Sequence, residues 1–171
     1  LLGWAGLLAG CFAQLPTATG VLVIGGGTSG TAAALASARA GVPTILVEEG
    51  PWLGGMISAA GVTCTDGNHQ LSSGIWNEFR SHLYKVYGGP AAVATGWVSL
   101  TQFEPHVSDS IWKHLAAKEK NLKVLHGYRF VQSTRSTNKV TGAIFTNKKK
   151  KNLTITAVVT IDATELGDVL A

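Results

Sequence analysis

The stretch VLVIGGGTSG, residues 21–30, decides the fold. Four apolar residues run straight into three consecutive glycines. A run of glycine costs backbone entropy, so it is kept where side chains would obstruct something. The apolar run reads as a short parallel strand covered on both faces. Residues 30–40, GTAAALASARA, are rich in good helix formers, with Leu35 on the apolar face. Gly41 and Pro43 end that helix, and TILVEE, residues 44–49, forms a second strand. The three elements make a βαβ unit, whose crossover should be right-handed.

Between strand and helix lies G-x-G-x-x-G, formed by Gly25, Gly27 and Gly30, and Glu48 ends the next strand 18 residues after Gly30. Each position has a physical task. Gly25 permits a sharp exit from the strand. Gly27 lets a pyrophosphate lie against bare backbone. Gly30 allows the helix to pack close to the sheet. The amides of residues 28–31 point out of the helix N-terminus, where an anion gains roughly 0.3–1 kcal/mol from the dipole. Charge-assisted hydrogen bonds, at about 1.5–3 kcal/mol each, matter more. The Thr28 and Ser29 hydroxyls are candidates to add to them. The Glu48 carboxylate can accept hydrogen bonds from an adenosine ribose diol and repels a 2′-phosphate, which favours FAD or NAD over NADP. The competing reading is a glycine-rich turn without a ligand. The helix, the second strand and the acid at its spacing weigh against it.

Downstream, residues 50–74 are glycine-rich and irregular. IWNEFRSHLYKVY, residues 75–87, has helical period, with Ile75, Phe79, Leu83 and Val86 on one face. Residues 88–102 read as a loop and residues 104–119 as a helix with Pro105 in its first turn. The last third changes period. Three β-runs, residues 123–136, 139–147 and 153–162, are joined by short turns and predict a three-stranded meander.

The 171 residues suffice for one domain with a core, or for part of a larger protein. Fourteen basic against ten acidic residues leave +4, and Lys148, Lys149, Lys150 and Lys151 supply all of it. That run sits between two strands and reads most simply as a solvated turn, so no nucleic-acid partner is expected. Residues 1–19 carry no charge, open apolar and end in a Pro-containing linker, as in a secretory leader too short to cross a membrane. LLAGC resembles the lipobox of bacterial lipoproteins, making Cys11 a candidate lipid anchor. A cut after Ala13 and a short buried helix are the alternatives. Without an initial Met or a basic n-region, the true start is expected upstream. These features predict export from a bacterial cytoplasm, to the envelope, the periplasm or the medium. Beyond the leader, Cys64 is the only cysteine, so cysteine usage says little about compartment.

A third parallel strand would follow soon in a plain NAD domain. Here LGGM, residues 53–56, comes first. With the turn, the second strand, FEPHVSDSIWKHL and VVTIDATELGD, it resembles the bacterial FAD-dependent oxidoreductase family of the glutathione-reductase-like fold, over residues 20–171. The resemblance implies an α/β, Rossmann-like three-layer FAD-binding domain: a parallel sheet, helices and a three-stranded β-meander. It also implies a helical and loop insertion at about residues 66–118, and a chain truncated before its substrate domain. By the family pattern, Gly25, Gly27, Thr28, Ser29 and Gly30 match the pyrophosphate turn and Glu48 the ribose-binding acid. Glu49 stands where the superfamily often has Arg. Gly54, Gly55 and Met56 match the segment beside the flavin half. Phe130 falls where a backbone, often of Val, meets the adenine. Ala163, Thr164 and Glu165 match the strand end over the adenosine and pyrophosphate, followed by Gly167 and Asp168.

A flavin performs the redox chemistry itself, so the lack of a triad is not evidence against an enzyme. The expectation is FAD-mediated hydride or electron transfer on a small-molecule substrate. An NAD-dependent dehydrogenase and a non-catalytic nucleotide-binding scaffold are the alternatives. Cys64 reads as a small buried cysteine, His69 as a solvated loop residue, and His106 and His126 as structural. His82 and His114 have no partner at metal spacing, so no metal site is expected. Trp52 is a candidate to flank the cofactor.

Overall fold

In the structure, a computed structural model, residues 15–66 and 70–169 are described. The leader features at Cys11 and Ala13, and the loop residue His69, lie outside them. Strand β1 spans Ala18–Ile24, helix α1 Thr28–Arg39 and β2 Thr44–Glu48. Helices α2 (Gly74–Tyr87), α3 (Pro90–Val93) and α4 (Pro105–Lys118) follow, then β3 (Leu122–His126), β4 (Tyr128–Ser136), β5 (Lys139–Asn147) and β6 (Asn152–Asp162).

The six strands share one sheet in the order β3-β2-β1-β6-β5-β4. Strands β3, β2, β1 and β6 run parallel, and β6, β5 and β4 form the antiparallel meander. The first of the expected β-runs is therefore two strands. Gly127, at φ +79°, breaks it. The half before it pairs parallel with β2, as the third nucleotide-fold strand, and only the half after it joins the meander. A reading by period cannot see this, because both halves alternate alike. Strand β6 serves two neighbours: its first residues pair with β5, residues 156–162 with β1, and Thr156 with both.

The domain's first strand also starts earlier than expected. Ala18 and Thr19 already pair with Thr156 and Ala157, so β1 reaches into what reads as leader. A single helical turn, α3, stands in the segment read as loop.

Alternation along the strands splits the core in two. Val23 and Leu46 face Ala34 and Leu35 of α1, Phe79 and Leu83 of α2, and Trp112 and Leu115 of α4. Leu22, Ile24, Ile45 and Val47 face Ala143, Phe145, Leu153 and Ile155 of the meander. Helices, parallel sheet and meander thus form three layers, with each fully buried Leu or Phe contributing about 1.5–3 kcal/mol. On α2, Val86 is exposed and Tyr87 packs against the core instead, four residues after Leu83.

Outside that core, Arg39 binds both carboxylate oxygens of Glu78 (2.7 and 3.0 Å) and Glu119 (2.7 Å), tying α1 to α2 and to the end of α4. The Glu78 carboxyl is held below the usual range by the hydrogen bond from Arg39, whose own pKa is raised, first by Glu78.

Candidate functional site

All of the turn's parts meet at the C-terminal ends of β1, β2 and β6. Gly25 has φ +103°, and a Cβ there would lie 2.3 Å from the Ala163 carbonyl oxygen. At Gly30 a Cβ would lie 2.0 Å from the Gly25 carbonyl oxygen, so α1 abuts its own entry loop. Gly26 is confined less tightly, by the Leu53 and Glu48 side chains at 2.8–2.9 Å. Gly27 differs. A Cβ there would meet only Glu165 Oε1, at 3.4 Å, so this glycine leaves space beside itself. Gly27 is the N-cap of α1, and the Thr31 amide already donates to its carbonyl at 2.9 Å. The amides available to an anion are therefore those of Thr28, Ser29 and Gly30, without Thr31.

Glu48 is held from two sides. Its Oε2 accepts the Gly26 amide at 2.6 Å and its Oε1 the Gly50 amide at 2.7 Å. A carboxylate has about four acceptor positions, so two backbone amides fix its orientation and leave capacity for a ligand's hydroxyls.

Residues 53–56 are latched to the turn. The Gly54 amide donates to the Gly26 carbonyl at 2.8 Å, and the Thr28 hydroxyl to the Gly54 carbonyl at 2.7 Å. That hydroxyl proton is spent on the latch, so Thr28 serves the site from behind and not as an added donor to an anion. Behind the latch stands α4. Asp109 is 7% exposed, accepts the Leu53 amide at 2.8 Å and pairs with Lys113 at 2.7 Å. Trp112 leaves no room for a side chain at Gly54, where a Cβ would meet its ring at 2.6 Å, and stacks on Phe79 at 4.7 Å. Helix α4 thus sets the height of the glycine segment. No sequence motif marks Asp109. Only its burial on a helix facing that loop identifies it.

These elements enclose a cleft of about 780 Å³. Gly25, Gly27, Glu48, Glu49, Gly55, Met56, Phe130, Ala163, Thr164 and Glu165 line it. Thr28, Ser29 and Gly30 adjoin that wall through Gly27, and Gly54 through Gly55. Phe130 packs its ring edge-on against Phe145 in the core. The next residue, Val131, is the extra residue of a β-bulge: Phe130 pairs with Phe145 and Gln132 with Ile144, leaving Val131 unpaired. Val131 itself lines the cleft wall. Phe130 and Val131 thus both line the cleft, and the bulge between them and Gln132 leaves no trace in local pattern.

Four carboxylates line the cleft (Glu48, Glu49, Glu165 and Asp168) against one cation, Arg129. Asp162, at the end of β6, organises the segment beneath: its carboxylate accepts the Thr164 amide and hydroxyl and the Val169 amide at 2.7–3.2 Å. The Asp168 amide donates to the Thr164 hydroxyl at 2.8 Å.

Cys64, His106 and the candidate cofactor neighbour Trp52 do not line this cleft. Cys64 is half-buried in a bridge to Gln102, and His106 is exposed. The rings of His82 and His114 face each other at 5.4 Å, but among the described residues no group of three metal-ligating side chains forms.

A family model described as FAD dependent oxidoreductase matches residues 20–171. No curated protein matches. Among solved structures, the chain is similar to the flavin-dependent monooxygenase PieE in complex with FAD and substrate (TM-score 0.61, 19% identity, 87% of this chain and 31% of that one). It is similar also to p-nitrophenol 4-monooxygenase PnpA from Pseudomonas putida DLL-E4 (0.62, 14%, 86% and 41%). THI4 from Thermovibrio ammonificans gives 0.57, 18%, 86% and 57%. The chain thus spans well under two thirds of each. At these identities the likeness is one of fold.

Proposed function

The chain belongs to the FAD dependent oxidoreductase family, and on that premise we propose that it is the cofactor-binding portion of a flavoenzyme acting on a small-molecule substrate. Its cofactor is FAD. The observation that carries the reading is Gly27. It is the one glycine of the turn beside which open space remains, and it adjoins the amides of Thr28, Ser29 and Gly30. A diphosphate fits that cradle, which a Cβ would fill.

In this reading each residue has a physical task. The first amides of α1 receive the diphosphate. Glu48, already fixed by two backbone amides, accepts the hydroxyls of the adenosine ribose. The unpaired backbone of Val131 meets the adenine edge, and the Phe130 ring holds that bulge to the core. Gly55 and Met56 pass beside the flavin half, and Ala163 and Thr164 close the cleft from β6. When bound, the flavin supplies hydride or electron transfer, while the protein supplies placement and exclusion of water. Export from a bacterial cytoplasm, to the periplasm, the cell envelope or the medium, belongs to the same proposal and rests on the uncharged apolar composition of residues 1–19.

The test is direct. The full-length protein, denatured after purification, should release stoichiometric FAD, and a suitable reductant should bleach the bound flavin. A colourless protein that gains no absorbance on incubation with FAD overturns the proposal. Bound flavin that no reductant bleaches favours a nucleotide-binding scaffold.

A further inference from the structure

The four lysines that carry the chain's net charge stand in the turn between β5 and β6. That turn is built by Asn147. Its carbonyl accepts the Lys150 amide at 2.8 Å, and its side-chain oxygen accepts the Lys149 and Lys151 amides, both at 3.0 Å. Its own amide donates to the Lys151 carbonyl at 3.1 Å. Lys150 takes φ +57°, which completes the reversal.

The turn does not simply project into solvent. Lys148, Lys149 and Lys151 line a hollow of about 570 Å³, and Lys150 does not. The facing wall is the chain just beyond β2 and β3: Glu49, Gly50 and Pro51, with His126 and Gly127. His126 donates from Nδ1 to the Gly50 carbonyl at 2.9 Å, which fixes its ring and leaves Nε2 outside that contact. The ion pairs found among the described residues use Arg39 and Lys113, and none uses a lysine of this turn. Glu49 is the one carboxylate of the wall. Three like charges held on one concave surface repel each other, and a compact anion relieves that repulsion.

From this geometry we propose that the hollow binds a dianion of the phosphate class. Ammonium groups suit phosphate as point charges with rotatable donors, and three lysines border a volume that accommodates it. The hollow meets the main cleft at Glu49, beside the ribose-binding acid Glu48. The phosphate is therefore either free or carried on the 3′ position of an adenosine whose 2′ hydroxyl remains for Glu48. FAD carries no such phosphate. Free phosphate would bind beside the cofactor, whereas a 3′-phosphorylated adenosine would take the place of FAD's own adenosine at Glu48, and the hollow itself stands whether or not the flavin reading does.

The test uses the full chain and inorganic phosphate, followed by calorimetry and by the amide resonances of Gly50, Asn147 and Lys149. Saturable binding is expected that weakens with added salt. K149A and K151A each weaken it about threefold or more, whereas K150A, with the same change in net charge, changes it less than about 1.5-fold. All three positions are exposed, so thermal melts of the variants should match the parent. Equal loss in K149A and K150A, or no saturation by phosphate, overturns the proposal. Adenosine 3′-monophosphate, added to protein stripped of flavin so that Glu48 is open, separates the sources. Binding about tenfold tighter than phosphate, with the gain lost in E48A, supports a nucleotide-borne group. Equal affinities, untouched by E48A, support free phosphate.

Discussion

The turn at residues 25–30 and the turn at residues 147–151 both border Glu49, yet they are built in opposite ways. The first strips side chains away until backbone amides and empty space face the cleft. The second keeps a backbone tied to Asn147 and extends four ammonium groups from it. A bare backbone recognises through short-range contacts, so one added carbon destroys it and salt hardly touches it. Lysines act through a longer-ranged field, so each loss is partial and salt screens it. Shape dominates one site and charge the other.

The sharpest way to break that contrast is Gly27→Val. It should lower FAD affinity by about a hundredfold or more, on the order of 2.7 kcal/mol, because the side chain fills the cradle. The fold should survive, since a Cβ at this position meets a single atom at 3.4 Å. Gly30→Val should instead yield no folded protein. Flavin content unchanged in the Gly27 variant would move the diphosphate elsewhere.

Next in size is Glu48→Ala, expected to weaken FAD about ten- to a hundredfold through lost charge-assisted hydrogen bonds. It should also lower the melting temperature, because the Gly26 and Gly50 amides lose their acceptor. Weakened binding without any thermal effect would contradict the proposed double role of Glu48.

Asp109→Leu probes the frame behind the bare backbone. Losing the acceptor of the Leu53 amide should cost about 1–3 kcal/mol of stability and loosen the glycine segment, read as faster amide exchange at Leu53 and Gly54. Asp109→Asn keeps an acceptor and should recover most of it. Identical behaviour of the two variants would show that the charge pair with Lys113, and not the Leu53 contact, matters.

Glu165→Gln is smaller and opposite in sign. Its carboxylate lies beside the Gly27 cradle, so neutralising it should tighten FAD a few-fold, on the order of 0.5–1 kcal/mol. The gain should shrink in salt. A loss of affinity would make Glu165 a ligand to the cofactor.

The smallest effect sets the scale of exposed charge. The Glu78 pKa is depressed in the folded state by Arg39, so its contribution is present above the unfolded value of about 4.3 and vanishes as pH falls through the folded one. Both side chains are about a third exposed (35% and 34%), so the pair is worth ~0.5 kcal/mol or less. In Glu78→Gln, stability should fall less between pH 5 and pH 3 than in the parent, to the extent of roughly that amount. Parallel curves would mean that the pair contributes nothing.

Local chemistry was legible wherever the signal is carried by neighbours in sequence. Strand, glycine turn, helix and second strand follow from residues 21–48 because glycine positions, an apolar run and a terminal acid act within a few residues of each other. The same holds for α2, whose Phe79 and Leu83 recur at helical spacing. It failed where the deciding partner is distant. Gly127 divides two strands that period alone joins, and only pairing with β2 makes the first of them parallel. The bulge at Val131 exists only relative to β5. Thr28 looks like an anion donor until the Gly54 carbonyl, far along the chain, takes its proton.

By itself the sequence determined that a dinucleotide turn is present and which acid accompanies it, because sterically bare backbone and a carboxylate at the next strand's end are local properties. Tertiary structure alone decided what surrounds them: α4 bracing the glycine segment through Asp109 and Trp112, and three lysines of a distant hairpin turned onto one hollow. The physical reason is that burial, pairing and convergence of charge are relations between segments, and become defined only when the sheet closes.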